Sequence, residues 1–82
     1  MSNKEKYKKT FIEALALDEN KFKENIKYND VEEWDSIGHM TLMSALEETF
    51  KISIETDDII EFSSYNEGIK IFKNIKLKYN IF

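Results

Sequence analysis

Apolar residues recur with helical spacing along three stretches of this 82-residue chain. In the first stretch they fall at positions i, i+4, i+7 and i+8, which predicts a helix from about Lys4 to Leu17. The apolar face of that helix comprises Tyr7, Phe11, Ala14 and Leu15. In the second stretch the spacing i, i+4 and i+8 predicts a helix from Ser36 to Phe50 or Lys51. The core residues of this second helix comprise Leu42, Met43, Leu46 and Phe50.

Two further helices are predicted in the last third of the chain. Thr56 and the two aspartates after it are typical of a helix start and predict a short third helix. Ser64 and Glu67 match a capping box, in which each side chain bonds the other residue's backbone N–H, so a fourth helix should begin there. Gly68 costs that helix about 1 kcal/mol relative to alanine, which a close contact with another helix would explain. The apolar face of the fourth helix comprises Tyr65, Ile69, Phe72, Ile75 and Tyr79.

The segment between the first two helices, residues 18–34, is long for a small domain but carries regularly spaced apolar residues. Such loops are usually functional or pinned to the core, and we expect pinning by Phe22, Ile26, Val31 and Trp34. Ile52 and Ile54 alternate like a strand but have no evident partner strand, so they should anchor a loop. The predicted fold is all-α: one domain over residues 1–82, a four-helix bundle with three longer helices, a short third helix and a long first loop.

Composition excludes several classes of function. The chain has no cysteine, which rules out disulfides, thiolate metal sites and cysteine nucleophiles. No apolar run approaches the ~18 residues that a membrane span requires. The first residues also lack the apolar stretch of a secretory signal. We therefore expect a cytoplasmic protein, and we expect it to be monomeric.

Charge is concentrated in the middle of the chain. Residues 30–61 hold ten acidic residues and one lysine, within a chain whose net charge is −4. This acidic segment argues against nucleic acid as a partner of that surface and favours partners with basic surfaces. From charge alone, a solvated surface that keeps a small protein soluble is the preferred interpretation.

Asp35 and Ser36 are the candidates for chemistry. Asp35 suits the N-cap of the second helix because its carboxylate accepts a backbone N–H and its charge matches the helix dipole. Ser36 alone could be only a capping residue. His39 lies one turn further on, but an isolated helix start offers no oxyanion hole for a serine–histidine–aspartate triad, so no catalytic residue is predicted. No metal site is predicted either, since the acidic pairs lack an EF-hand loop.

The residues around Ser36 resemble the acyl carrier protein family. Asp35-Ser36-Ile37 corresponds to the family's Asp-Ser-Leu, and residues 45–50 resemble its Ala-Leu-Glu-Glu-x-Phe. The resemblance extends over about residues 4–76. It implies that a phosphopantetheinyl transferase attaches a 4'-phosphopantetheine arm to Ser36, and that the terminal thiol of this arm holds acyl groups as thioesters. A chain without cysteine can thereby take part in thiol chemistry.

The resemblance also implies partners: the transferase, and acyl-loading and acyl-accepting enzymes with basic surfaces. We expect the partner-binding residues to be Ile37, His39, Met40, Glu47, Glu48, Asp57 and Asp58. His39 is expected at the surface of this interface.

Several residues depart from the fatty-acid-synthesis members of the family, namely Trp34, Gly38, His39, Thr41 and Glu55. With these residues, the sequence looks more like that of a specialised stand-alone carrier in lipid, polysaccharide or secondary-metabolite pathways. Two alternatives stay open: a peptidyl or D-alanyl carrier with the same arm, and an unmodified helical interaction module.

Overall fold

The computed structural model describes residues 2–79, with side chains up to residue 75. This part of the chain contains four helices: α1 Asn3–Ala14, α2 Ser36–Phe50, α3 Thr56–Glu61 and α4 Tyr65–Tyr79. The prediction of an all-α fold with three longer helices, a short third one and a long first loop is confirmed. Among the described residues, no helix is long and apolar enough to cross a membrane.

The first helix ends three residues before the predicted boundary. Ser2 caps its start by accepting a hydrogen bond from the Glu5 backbone N–H at 3.1 Å. After Ala14, the residue Ala16 adopts a left-handed backbone with φ of 51°, which ends the helical path. The predicted extension to Leu17 is therefore wrong, although the Leu17 side chain is still buried.

The core is one hydrophobic cluster, to which α1, α2, α4 and the connecting segments contribute side chains. The four predicted core residues of α2 are all buried, as are the anchors Ile52 and Ile54. In the first loop, Ile26 and Trp34 are buried, whereas Phe22 and Val31 pack at the edge of the cluster. The side chain of Tyr79, predicted to face the core, lies outside the described residues. The largest fully buried side chains are Trp34, Phe11, Phe62, Phe72, Leu42, Met43 and Leu46.

A close contact inside this core explains Gly68. A Cβ atom at that position would overlap ring atoms of Phe62 and the hydroxyl of Tyr7. The Tyr7 hydroxyl is itself fixed, because it donates a 2.8 Å hydrogen bond to the backbone carbonyl of Tyr65. The expected close contact at Gly68 is thus confirmed.

The first loop is tied to the start of α4 by two backbone hydrogen bonds. Tyr28 N–H donates to the Ser63 carbonyl at 2.9 Å, and Tyr65 N–H donates to the Ile26 carbonyl at 3.0 Å. These two bonds fix the path of the loop that leads to α2.

At the start of α4, the serine half of the predicted capping box is present, since Ser64 Oγ accepts from the Glu67 N–H at 3.0 Å.

Candidate functional site

Ser36 is the first residue of α2, and its side chain is exposed. The preceding residue caps the helix as predicted: Asp35 Oδ1 accepts a hydrogen bond from Gly38 N–H at 2.8 Å. The 15-residue helix places its positive end at this serine. The Ser36 hydroxyl therefore projects from the rigid start of a helix and is accessible to other proteins.

Gly38 lets the first loop cross the start of α2. A Cβ atom at this position would run into the backbone carbonyl of Glu33. The same stretch of loop is held from outside by Lys21, whose Nζ lies 3.0 Å from Glu33 Oε2. That hydrogen bond lowers the pKa of the Glu33 carboxyl and raises the pKa of Lys21. The Lys21–Glu33 ion pair therefore joins two points of the first loop, and Gly38 leaves room for the loop backbone at the start of α2.

Tyr28 is a site residue that the sequence reasoning missed. Its hydroxyl lies 3.1 Å from Ser36 Oγ, within hydrogen-bond distance. The aromatic ring packs edge-on against Trp34 and His39, with centroid distances of 6.1 and 5.5 Å. Tyr28 comes eight residues before Ser36 in a loop, so no periodic pattern pointed to it.

His39 joins three parts of the molecule. Trp34 Nε1 donates to His39 Nδ1 at 2.9 Å, so the ring proton belongs on Nε2. Nε2 in turn lies 2.8 Å from the carbonyl oxygen of Ile59 in α3, to which it donates. His39 is half-buried rather than exposed, and both ring nitrogens bind within the fold. Its contact with partner proteins stays a prediction. Neither nitrogen is left to activate Ser36, which agrees with the rejection of a catalytic triad.

A cleft between α2 and α3 opens beside Ser36. It measures about 320 Å³, and most of its lining is apolar. The side chains that line it include Tyr28, Ser36, His39, Met40, Ile59 and Ile60. The hydrogen bond between His39 and Ile59 holds the two walls of the cleft together.

Three large apolar side chains are exposed around this cleft. Ile37 is 78% exposed, Met40 53% and Ile60 75%. Ile37 and Met40 were predicted as partner-binding residues, whereas Ile60 was not. Apolar side chains left in water near one serine are typical of a surface that other proteins contact.

The predicted acidic residues divide into two groups. Glu48 and Asp57 are exposed, and Asp58 is half-buried. Glu47 is different, because its Oε2 accepts a 2.8 Å hydrogen bond from the backbone N–H of Ile54. Glu47 therefore holds the segment after α2 in place. No group of acidic or histidine side chains among the described residues could hold a metal ion.

The chain matches a protein-family model. The family model named for a phosphopantetheine attachment site matches residues 8–69, well over half of the chain. This range contains Asp35, Ser36 and all the residues that line the cleft. Neither the curated proteins nor the solved structures give a match.

Proposed function

Because this chain belongs to the phosphopantetheine attachment-site family, whose members carry 4'-phosphopantetheine on a serine, we propose that Ser36 is that serine. Family membership confirms the resemblance to acyl carrier proteins, and such carrier domains are non-catalytic. We further propose that the protein is a single-domain, monomeric acyl carrier in the cytoplasm.

The observation that carries the assignment is the position of Ser36. Its hydroxyl is exposed at the N-terminus of a long helix, directly beside the apolar cleft between α2 and α3. A helix N-terminus favours a phosphodiester because the free N–H groups and the dipole attract negative charge. Asp35 caps the helix through its bond with Gly38 N–H, so the cap does not use the Ser36 hydroxyl.

Attachment is a phosphoryl transfer carried out on a separate transferase. Ser36 Oγ forms a bond to the β-phosphorus of coenzyme A, and adenosine 3',5'-bisphosphate leaves with the electrons of the broken P–O bond. The serine proton passes to a base of the transferase. When attached, the arm supplies a terminal thiol that holds acyl groups as thioesters.

The cleft lining favours an acyl cargo over an aminoacyl one. Met40, Ile59 and Ile60 present hydrocarbon beside Ser36, which suits an alkyl chain. A peptidyl or D-alanyl cargo carries an ammonium group, which this lining would not pair. The residues that depart from the fatty-acid-synthesis members support the further proposal of a specialised lipid, polysaccharide or secondary-metabolite pathway. Mass spectrometry of the loaded protein from its native host distinguishes the two cargoes.

Partner enzymes are proposed to dock on the same face. Ile37, Met40 and Ile60 would form the apolar centre, and the exposed acids Glu48 and Asp57 would attract basic surfaces. His39 and Glu47, which the sequence also suggested as contacts, act first within the fold. A small apolar centre with a charged rim suits partners that must bind briefly and release the carrier.

The assignment of Ser36 is tested with coenzyme A and a broad-specificity phosphopantetheinyl transferase. The wild-type protein should gain the mass of one arm, and peptide mapping should place it on Ser36. Ser36→Ala should gain nothing while keeping its helicity, because Asp35 still caps α2. Ser44→Ala is the matched control, since Ser44 is exposed on the same helix and should not affect modification. A modified Ser36→Ala protein would refute the assignment, and an unmodified wild type would favour the interaction module.

A further inference from the structure

The hydroxyl of Tyr28 lies 3.1 Å from the hydroxyl that we assign to the arm. We propose that Tyr28 is a positioning residue: it holds the Ser36 hydroxyl in the free protein and donates a hydrogen bond to a phosphodiester oxygen after attachment. This inference rests on the proposed function and extends it to a residue outside the Asp-Ser motif.

Tyr28 is held independently of its hydroxyl. Its backbone N–H donates to the Ser63 carbonyl at 2.9 Å, which fixes the main chain. Its ring packs edge-on against Trp34 and His39, and these two side chains are joined by a 2.9 Å hydrogen bond. The hydroxyl is therefore presented from a braced ring and needs no rearrangement to meet a group on Ser36.

The hydroxyl can be separated from the packing of the ring. Phenylalanine at position 28 would keep the ring contacts with Trp34 and His39. The hydroxyl pair is exposed, so water competes for both partners and the bond contributes little to the stability of the fold. Removal of the hydroxyl should therefore change events at Ser36 and leave folding almost unchanged.

The chemistry of a phosphodiester fits a neutral donor at this place. Its free oxygens accept hydrogen bonds only, and they lie two bonds from Ser36 Oγ through the phosphorus, within reach of a donor already close to Oγ. The neighbouring Asp35 carboxylate is also only an acceptor, and it is engaged with Gly38 N–H. Tyr28 and Ser36 line the same cleft, so a bond from Tyr28 would direct the arm toward its apolar lining.

The test compares wild-type protein with Tyr28→Phe, using coenzyme A and a broad-specificity transferase. One neutral hydrogen bond corresponds to about a two- to tenfold change in rate, so kcat for modification should fall by that factor with KM almost unchanged. The ³¹P resonance of the modified Tyr28→Phe protein should also move from its wild-type position, because the phosphodiester has lost a donor.

Tyr7→Phe is the matched control. It removes the same phenol hydroxyl from the core, where Tyr7 donates to the Tyr65 carbonyl. We expect a lower thermal midpoint with the wild-type ³¹P shift, whereas Tyr28→Phe should show the reverse pattern. Equal kcat and an equal ³¹P shift in Tyr28→Phe would overturn the role of Tyr28 alone. A wild-type protein without an arm on Ser36 would overturn the proposed function and this inference with it.

Discussion

At the scale of single residues, Tyr7 and His39 show how polar side chains near the core find defined partners. Tyr7 donates to a backbone carbonyl, and His39 accepts from Trp34 while donating to Ile59. A buried hydroxyl without such a partner would cost about 1–3 kcal/mol. These bonds let an aromatic core hold polar side chains, and they fix the relative positions of the loop, α2 and α3.

Tyr7 gives a prediction for alkaline pH. Burial, and secondarily Tyr65, raise the pKa of the Tyr7 hydroxyl well above its ordinary value. The unfolded chain loses this proton near pH ~10 while the folded protein retains it. The contribution of Tyr7 to stability is therefore complete below that pH and is lost as the pH rises further, by about 1.4 kcal/mol per pH unit.

Tyr7→Phe should remove this pH-dependent contribution to the free energy of unfolding. Measured by urea unfolding, the variant should be less stable than wild type at neutral pH by about 1 kcal/mol, because a hydrogen bond is lost. Above pH ~10 its free energy of unfolding should fall less steeply than that of wild type. Between pH 7 and 9 the two slopes should agree. Parallel curves up to pH 11 would show that Tyr7 ionises in the folded protein.

At the scale of helices, the approach of α4 to α1 and to the end of α3 depends on Gly68. Alanine there would gain about 1 kcal/mol of helix propensity, but its Cβ would overlap two aromatic side chains that cannot easily move. Overpacking of this kind costs about 1–3 kcal/mol. The gain in helix propensity and the cost of overpacking come from the same methyl group. The cost is larger because the neighbouring aromatic side chains cannot easily move.

We therefore expect Gly68→Ala to lower the free energy of unfolding by up to about 2 kcal/mol. Asn74→Ala is the control, because Asn74 is exposed on the same helix and alanine should be neutral or stabilising there. Chemical denaturation of both variants gives the comparison. A Gly68→Ala protein more stable than wild type would mean that the contact with Phe62 and Tyr7 relaxes at no cost.

At the scale of the whole molecule, charge is distributed unevenly. The acidic segment, residues 30–61, includes the exposed Glu48 on α2 and Glu61 at the end of α3, the two helices that border the cleft. Attraction between such charges and a basic partner is screened over roughly 8–10 Å at physiological salt. Charge should therefore raise the rate of encounter with partners more than it tightens the final complex.

Glu48→Lys/Glu61→Lys tests this steering. This double variant leaves two acidic residues unchanged. Glu47 accepts a hydrogen bond from Ile54 N–H, and Asp57 lies in the first turn of α3. Modification by the transferase should be slower mainly through KM, and the kcat/KM of wild type should fall as salt rises. Glu13→Lys/Glu19→Lys changes the net charge equally outside the acidic segment and should have a smaller effect.

Circular dichroism must show that both charge variants remain folded. If the folded Glu48→Lys/Glu61→Lys protein is modified at the wild-type rate in low salt, the acidic segment is only a solvated surface. A similar loss in both variants would instead point to net charge alone.

The sequence by itself determined the four helices, the buried residues of α2 and the serine at the start of a helix capped by Asp35. These features depend on local rules, since helical periodicity marks a buried face and a cap acts within one turn. The same rules identified Ile26 and Trp34 as anchors of the long loop. They were less accurate for α1, whose end depends on the left-handed backbone at Ala16 rather than on apolar spacing.

Only the tertiary structure decided which side chains meet at Ser36. Tyr28 reaches the serine because the loop is bound to the start of α4, and His39 is engaged because α3 packs against α2. Such contacts join residues 8 and 20 positions apart through the path of a loop. That path follows from the packing of the whole core, so no local pattern in the sequence contains it.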